Sequence, residues 1–151
     1  MIAVVRIRGT MNTRGTIGEA LRMLRLDRQN TCVVLPDTQS YRGMLAKARD
    51  RITYGTITLE TFERLVEKRG RIDGNRRLDA NTVKETGYES VGALAKAIFE
   101  GKARMADVPK LKPVFRMTPP VRGMKDAKHH WPKGELGDRG EKMDELIKAM
   151  M

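Results

Sequence analysis

The first residues of the chain show the alternation that is typical of a β-strand. In residues 2–9, IAVVRIRG, Val5 and Ile7 fall on one face, whereas Arg6 and Arg8 fall on the other. The residues that follow, GTMNTRG, contain glycines and polar residues without a periodic pattern, which indicates a flexible basic loop. The pattern therefore predicts a first strand that leads into a loop rather than into a tight turn.

Helical and strand-like patterns then alternate up to residue 55. The predicted elements are a strand over residues 2–9, a helix capped by Thr16, a buried strand over 30–37 that ends at Pro36, a helix over 38–50 and a strand over 51–55. The apolar residues expected to be buried together are Val5, Ile7, Leu21, Leu24, Val33, Leu35, Met44 and Leu45. This β-α-β-α-β order predicts a small sheet backed by two helices.

After residue 55 the pattern becomes helical. The predicted elements are helices over residues 58–70, 79–87 and 90–103, a short strand around 114–117 and a last helix from about residue 140. The expected organisation is a β-α-β-α-β core over 1–56, a helical extension over 57–107, and a basic extended segment with a terminal helix over 108–151.

The charge of the chain is strongly positive and unevenly distributed. There are 30 Lys and Arg residues against 19 Asp and Glu residues, so the net charge is +11. The net charge is +6 over residues 1–56, +1 over 57–107 and +4 over 108–151. This excess predicts a polyanionic partner, most simply a nucleic acid. Because aromatic residues are few, contacts with phosphates are favoured over base stacking.

The cysteine content and the apolar runs bear on where the protein resides. Cys32 is the single cysteine, so a disulfide framework within the chain is not expected and a reducing compartment is the natural location. No apolar run approaches the roughly 20 residues that a membrane span needs, and the first residues lack the layout of a signal peptide. We expect a soluble cytoplasmic protein without a membrane partner.

The residue types that carry catalysis or bind metals do not form a convincing pattern. His129 and His130 are adjacent, so they point in different directions, and the chain has no further histidine to complete a zinc site. Cys32 lies in the apolar run TCVVL, which favours a packed thiol over a reactive one. Three aspartates could surround a magnesium ion, namely Asp37, Asp50 and Asp73, but surface or capping roles are favoured. We expect no catalytic residue, no metal, no cofactor and no small-molecule substrate.

The cations of the N-terminal region are nearly all arginines. They are Arg6, Arg8, Arg14, Arg22, Arg25 and Arg28. A solvated protein face is one interpretation of this set. Arginine, however, binds phosphate through a planar two-pronged group that lysine lacks, and the intervening glycines and threonines allow close approach of a backbone. A second cluster, from Arg69 to Arg77, lies among acidic residues and is open to either interpretation.

Residues 118–140, TPPVRGMKDAKHHWPKGELGDRG, are too rich in glycine and proline to form a helix or a core of their own. Positive residues recur through them every three to six positions, and both histidines and the single tryptophan lie among them. A basic segment of this kind usually becomes ordered on a nucleic-acid surface, so we expect an ordered extension on folded RNA. A disordered tail is the competing interpretation.

Two stretches of the chain carry a resemblance to a known family. The first is MLRLDRQNTCVVLPDTQSYRGMLAKARDRITYG, and its telling residues are Leu24, Leu26, Asn30, Asp37, Thr38, Arg42, Gly43, Met44 and Lys47. The second is FRMTPPVRGMKDAKHHWPKGELGDRGEKMDELIKAMM, with its Pro-Pro, Arg-Gly, Leu-Gly and Arg-Gly-Glu groups. Together they resemble the large-subunit ribosomal protein thirty family in its extended archaeal and eukaryotic form. The crowded KHHWPKGE departs from the plainer Lys/Gly-rich stretch expected there.

The resemblance implies an α+β fold with a small, three-stranded, largely antiparallel sheet of order 3-1-2 and two helices on one face. It also implies a ribosome-bound structural constituent of the large subunit that binds folded large-subunit rRNA, with 5S rRNA and neighbouring proteins as further candidate partners. The expected RNA-contacting residues are Arg6, Arg8, Asn12, Arg14, Thr16, Arg22, Arg25, Arg28, Arg49, Arg76, Arg77, Arg116, Arg122, Lys125, Lys128, His129, His130, Lys133 and Arg139.

Two other classes of function compete with this interpretation. One is a free-standing RNA-processing enzyme that uses carboxylates and a metal. The other is a DNA-binding regulator, which would need a symmetric dimer and a helix with basic residues concentrated in its first turn, a feature that no helix predicted here has.

Overall fold

A computed structural model describes residues 1–78, 83, 87–105, 108 and 111–151 of the chain. The strands are β1 (Ile2–Arg6), β2 (Thr31–Leu35), β3 (Ile52–Thr56), β4 (Phe115–Arg116) and β5 (Gly137–Asp138). The α-helices are α1 (Gly15–Met23), α2 (Gln39–Ala48), α3 (Leu59–Arg69), α4 (Val91–Phe99) and α5 (Met143–Met150). The helix predicted over 79–87 falls largely outside the described residues.

The strands form one mixed sheet in the order β4-β2-β1-β3-β5. The α+β class is confirmed, whereas the predicted three-stranded sheet is too small. Its three strands form the centre of the sheet, with β2 and β3 both antiparallel to β1. The C-terminal part of the chain supplies both edges, because β4 pairs antiparallel with β2 and β5 pairs parallel with β3.

Helices cover both faces of this sheet, which corrects the expectation of helices on one face only. On the first face α1 and α2 pack on the sheet, and Leu21, Leu24 and Leu45 are buried there with Val4 and Val33. We call this the α1/α2 face. Val5 and Ile7 belong instead to a separate apolar cluster on the opposite face. The single core predicted from the sequence is therefore wrong for those two residues, and Leu35 and Met44 are only partly buried.

The opposite face is covered by residues that follow β3, and we call it the extension face. Ala3, Val5, Cys32 and Val34 point to this side and pack against a large cluster that includes Phe62 of α3. Further contributions come from α4, α5 and β4, in the form of Leu94, Ala95, Ile98, Phe115, Leu146 and Ile147. A run such as IAVVRI, apolar on both of its faces, is what a strand between two helical layers requires.

Side chains define where most of the helices begin. The hydroxyls of Thr38, Thr58 and Ser90 accept hydrogen bonds from backbone amides three residues on, as N-caps do. Helix α1 differs from expectation, since it begins at Gly15 after Arg14 rather than being capped by Thr16. None of the described helices is long and apolar enough to cross a membrane.

Residues 118–140 are folded against the protein rather than extended away from it. The backbone amides of Thr118 and Val121 donate to the carbonyl oxygens of Met150 and Ala149. Leu136 is 1 % exposed, and the next two residues form β5. The protein's own backbone and core thus hold a segment for which the sequence predicted RNA as the ordering surface.

Candidate nucleic-acid interface

The strand registers bring several basic parts of the chain to one end of the sheet. Val5, near the end of β1, lies opposite Cys32 at the start of β2 and opposite Thr53 at the start of β3. At the same end, Thr31 is paired with Arg116 of β4. The loop before β2 is therefore a neighbour of β4, although the two are far apart in sequence, and the loop that follows β1 lies at the same end of the sheet. We call this end of the sheet the basic end.

A first groove at the basic end lies beside the edge strand β4, and we call it the edge groove. Its volume is about 290 Å³. Its lining residues are Arg25, Asp27, Arg28, Thr31, Arg71, Asn75, Lys112, Val114 and Arg116. Five cations thus face one carboxylate. Among the residues that the structure describes, none of these five cations is ion-paired with a carboxylate.

A second groove lies beside the loop between β1 and α1, and we call it the loop groove. Its volume is about 320 Å³, and it is lined by Arg8, Asn12, Arg14, Ile17, Asp50 and Arg51. The guanidinium of Arg51 donates to the carbonyl oxygens of Gly9 at 3.1 Å and Asn12 at 2.7 Å. Arg51 therefore holds this glycine-containing loop in place, and Arg8 and Arg14 are presented from a fixed backbone.

Arg6 is buried inside the basic end, with only 2 % of its surface exposed. Its guanidinium donates to the carbonyl oxygens of Arg8, Leu26 and Asp27 at 2.6–2.9 Å. Burial lowers the pKa of Arg6, and the neighbouring charge of Arg51 lowers it further. The side chain predicted to bind RNA thus ties the end of β1 to the loop that forms one wall of the edge groove.

Arg139 is likewise used within the protein. It is 9 % exposed and pairs with the carboxylate of Glu135, while its guanidinium lies 4.6 Å from the centre of the Trp131 ring. Burial lowers the pKa of Arg139. The guanidinium of Arg139 thus packs against the Trp131 ring and the Glu135 carboxylate, so it is not available to bind a phosphate.

The adjacent histidines each contact a carboxylate of the protein. His130 Nε2 lies 3.0 Å from Asp50 Oδ1, and His129 Nδ1 lies 2.5 Å from Asp126 Oδ2. The contact with His129 lowers the pKa of Asp126. Through His130, residues 126–136 are attached to the loop groove. The described residues hold no cluster of three or more side chains suited to a metal ion.

Comparisons with known proteins cover almost the whole chain. The sequence profile of the family described as Ribosomal protein L30p/L7e matches residues 2–52. Three relatives, each called large ribosomal subunit protein uL30, match almost end to end. The one from Archaeoglobus fulgidus is 51 % identical over 99 % of both chains. Those from Methanocella arvoryzae and Methanococcus maripaludis are 41 % and 43 % identical, over 99 % of this chain and 99 % and 98 % of theirs. This chain belongs to the uL30 family.

The uL30 relatives match residues beyond 52 as well, and the edge groove depends on that later part of the chain. Arg25, Asp27 and Arg28 lie within the region that the family profile covers. Arg71, Asn75, Lys112, Val114 and Arg116 lie outside it. The groove is therefore a joint product of the shared core and of the extension that covers the second face of the sheet.

Of the residues predicted from the sequence, the structure brings six into the two grooves. Arg8, Asn12 and Arg14 line the loop groove, and Arg25, Arg28 and Arg116 line the edge groove. A further group is exposed but lines neither groove, and it comprises Thr16, Arg22, Arg49, Arg76, Arg77, Arg122, Lys125, Lys128, His129, His130 and Lys133. Arg6 and Arg139 are buried.

The prediction omitted three cations of the grooves, Arg51, Arg71 and Lys112. Arg71 stands in the basic cluster that the sequence left open between surface and RNA contact. Arg51 follows Asp50, and Lys112 stands in the proline-containing stretch VPKLKP, so neither has a local signal that distinguishes it. Only the pairing of β4 with β2 reveals that Lys112 and Arg28 share a groove.

Proposed function

We propose that this chain is a structural constituent of the large ribosomal subunit and that it binds folded large-subunit rRNA through the basic end of its sheet. The carrying observation is the convergence of eight cations on two grooves that together contain two carboxylates, Asp27 and Asp50. A charge excess of this size at one end of a small protein attracts phosphates and makes binding depend on salt. Membership of the uL30 family supports a structural role over the RNA-processing enzyme considered as an alternative.

The proposed mechanism is neutralisation of phosphates by arginines on a rigid frame. The proposed contacts in the grooves are Arg8, Asn12, Arg14, Arg25, Arg28, Arg51, Arg71, Lys112 and Arg116. Arginine donates two parallel hydrogen bonds to a phosphate, which fixes orientation as well as binding energy. We omit Arg6 and Arg139, because both side chains are buried as well as bound within the protein, whereas Arg51 stays partly exposed. The predicted residues that are exposed outside the grooves complete the proposed contact set, namely Thr16, Arg22, Arg49, Arg76, Arg77, Arg122, Lys125, Lys128, His129, His130 and Lys133.

The proposed partners follow from the same surfaces. Folded large-subunit rRNA is the principal one, and 5S rRNA and neighbouring large-subunit proteins are further proposed partners. The proposed location is the cytoplasm, bound to the ribosome. Most of the protein should therefore sediment with the large subunit in a cell extract, and little should be found free. A predominantly free pool would contradict the ribosomal role.

The direct test is the salt dependence of binding to purified large-subunit rRNA. With roughly 8 phosphate contacts, a plot of log affinity against log salt concentration should have a slope near −6 to −7. Substituting Arg8→Ala together with Arg14→Ala should make the slope shallower by about 2 without changing the circular dichroism spectrum. The matched control is Arg64→Ala with Lys148→Ala, which removes two exposed cations outside both grooves. A slope near zero for the unchanged protein would refute the electrostatic mechanism.

A further inference from the structure

We propose that the edge groove binds a single-stranded segment of RNA rather than the surface of a duplex, and that it takes in one nucleotide that is turned out of its stack. This inference rests on the proposed function and names the form of RNA that this part of the interface takes. Three observations support it: the shape of the groove, the chemistry of its walls and the backbone conformation of Arg25.

The shape of the groove favours a protruding nucleotide over an RNA duplex as its ligand. It is a concavity of about 290 Å³ between three separate parts of the chain: the loop before β2, the turn after α3 and the residues leading into β4. Proteins read RNA duplexes by laying a surface across the wide, shallow minor groove, whereas they take unpaired nucleotides into pockets. A space of this size accommodates one protruding group rather than the full width of a double helix.

The walls of the groove carry groups for each part of a nucleotide. Arg28 and Arg116 are exposed cations on different walls, so a phosphate between them would be held from both sides. The side-chain amide of Asn75, an exposed residue, can donate a hydrogen bond to, or accept one from, a base edge or a ribose 2′-hydroxyl. Asp27 repels a phosphate at its own position and can accept a hydrogen bond from a base amino group. A plain phosphate-binding surface would not need these polar groups.

Arg25 occupies a backbone conformation that usually selects glycine. It follows the last turn of α1 with φ of 57°, and the next amide, that of Leu26, donates to the carbonyl oxygen of Leu21 at 2.8 Å. This is the helix ending in which glycine is by far the most common residue, because a side chain is strained there. The side chain of Arg25 makes no hydrogen bond within the described part of the chain, yet it lines the groove. We infer that Arg25 is a specificity-determining residue whose strain is offset by contact with RNA.

The experiment uses the full chain with three RNA probes: purified large-subunit rRNA, a ten-nucleotide oligouridine, and a hairpin with the same number of phosphates whose stem is closed by a non-nucleotide linker, so that every nucleotide is paired. Arg25→Gly should lower the affinity for oligouridine by about 10-fold, since a charge-assisted contact is lost. Its affinity for the hairpin should change by less than about 3-fold. Because glycine relieves the strain at this position, the melting temperature should stay the same or rise by up to about 4 °C.

A second variant, Lys112→Ala with Arg116→Ala, removes two cations from the opposite wall and keeps the test valid if Arg25→Gly does not fold. It should lower oligouridine affinity by at least about 10-fold, again with a smaller effect on the hairpin. Lys148→Ala, on α5 and outside both grooves, is the control for loss of one charge. Equal losses on oligouridine and hairpin, or no loss on either, would overturn the single-strand proposal. Failure of the unchanged protein to bind large-subunit rRNA would instead refute the proposed function.

Discussion

The two faces of the sheet are built in different ways from the same strands. The α1/α2 face is covered by helices that lie between the central strands in sequence, so its cluster is nearly complete by residue 54. The extension face is covered by α3, α4, α5 and β4, which all follow β3. Each face is equally buried at the level of β1, where Val4 on one side and Val5 on the other are both fully inaccessible.

This difference shows that the first 56 residues specify a fold that they do not complete. Ala3, Val5, Ile7, Cys32 and Val34 would form an exposed apolar surface if the extension were absent. The extension is therefore part of the core as well as an addition to the proposed RNA-binding surface. It also supplies two of the three parts of the chain that line the edge groove, so the same segment serves stability and the proposed binding.

The largest expected effect is that of removing the extension. A fragment of residues 1–56 should lack a cooperative thermal transition and should aggregate, because one face of its sheet is apolar and uncovered. Circular dichroism melting and size-exclusion chromatography measure this. A monomeric fragment with a sharp transition would show that the core of the α1/α2 face is sufficient for folding. That result would contradict the difference drawn here between the two faces.

A matched pair of leucines tests whether the two faces are independent cores. Leu45 of α2 and Leu65 of α3 are both 0 % exposed, one on each face. Each change to alanine should lower the free energy of unfolding by about 2–5 kcal/mol. In the double variant the losses should add within about 0.5 kcal/mol, because the sheet separates the sites. Denaturant unfolding gives the values, and strong coupling between them would indicate a single continuous core.

Two glycines should respond in opposite directions to the same substitution. A side chain at Gly55 would collide with the carbonyl oxygen of Gly140 and lie 2.9 Å from Cβ of Met143, so Gly55→Ala should destabilise the extension face by about 1–3 kcal/mol. Gly43 in α2 has open space around it, and Gly43→Ala should stabilise the protein by about 0.4–1 kcal/mol. Chemical denaturation of both variants checks the signs. A loss of stability in Gly43→Ala as large as that in Gly55→Ala would contradict this prediction.

The smallest expected effect is a change in the rate at which Cys32 is labelled chemically. Cys32 is fully buried under the extension face, and burial raises the pKa of its thiol to about 12. The reactive thiolate is therefore scarce at pH 8, and iodoacetamide should label the folded protein only through opening of that face. The labelling rate, followed by mass spectrometry, should rise in Gly55→Ala and not in Gly43→Ala. Rapid labelling of the unchanged protein would mean that the extension covers this face loosely.

The sequence predicted the local elements well and the long-range arrangement poorly. The five elements of residues 1–55 and the terminal helix have strong periodic patterns, and all six are present. The strand β5 is two residues long and begins with a glycine, so it has no periodic pattern and depends on pairing with β3. The division of the core into two faces was likewise not evident from the sequence. Both faces of β1 carry apolar residues, so the pattern does not show which helices cover which face.

The candidate site shows the same limit. Arg6 and Arg8 fall on one face by strand periodicity, yet Arg6 is covered by the carbonyl groups of the loop before β2, which come from residues 26 and 27. Arg139 resembles other basic residues of its segment until Trp131 and Glu135 are placed around it. Charge patterning therefore predicted a polyanionic partner, whereas the separation of buried structural arginines from those that line the grooves required tertiary contacts.

The edge strands also have a consequence for how the protein is made. Thr53 bonds to Gly137, a partner 84 residues later in the chain. At a synthesis rate of about 5–20 residues per second, β3 would wait roughly 4–17 s for that partner to be made. During this interval the nascent chain exposes an unpaired strand edge beside an uncovered apolar surface, the combination that promotes association between chains. Binding of RNA at the basic end cannot shorten this interval, because β5 and the residues around it must first be made and released. Until then, a low concentration or a chaperone would protect newly made chains from association.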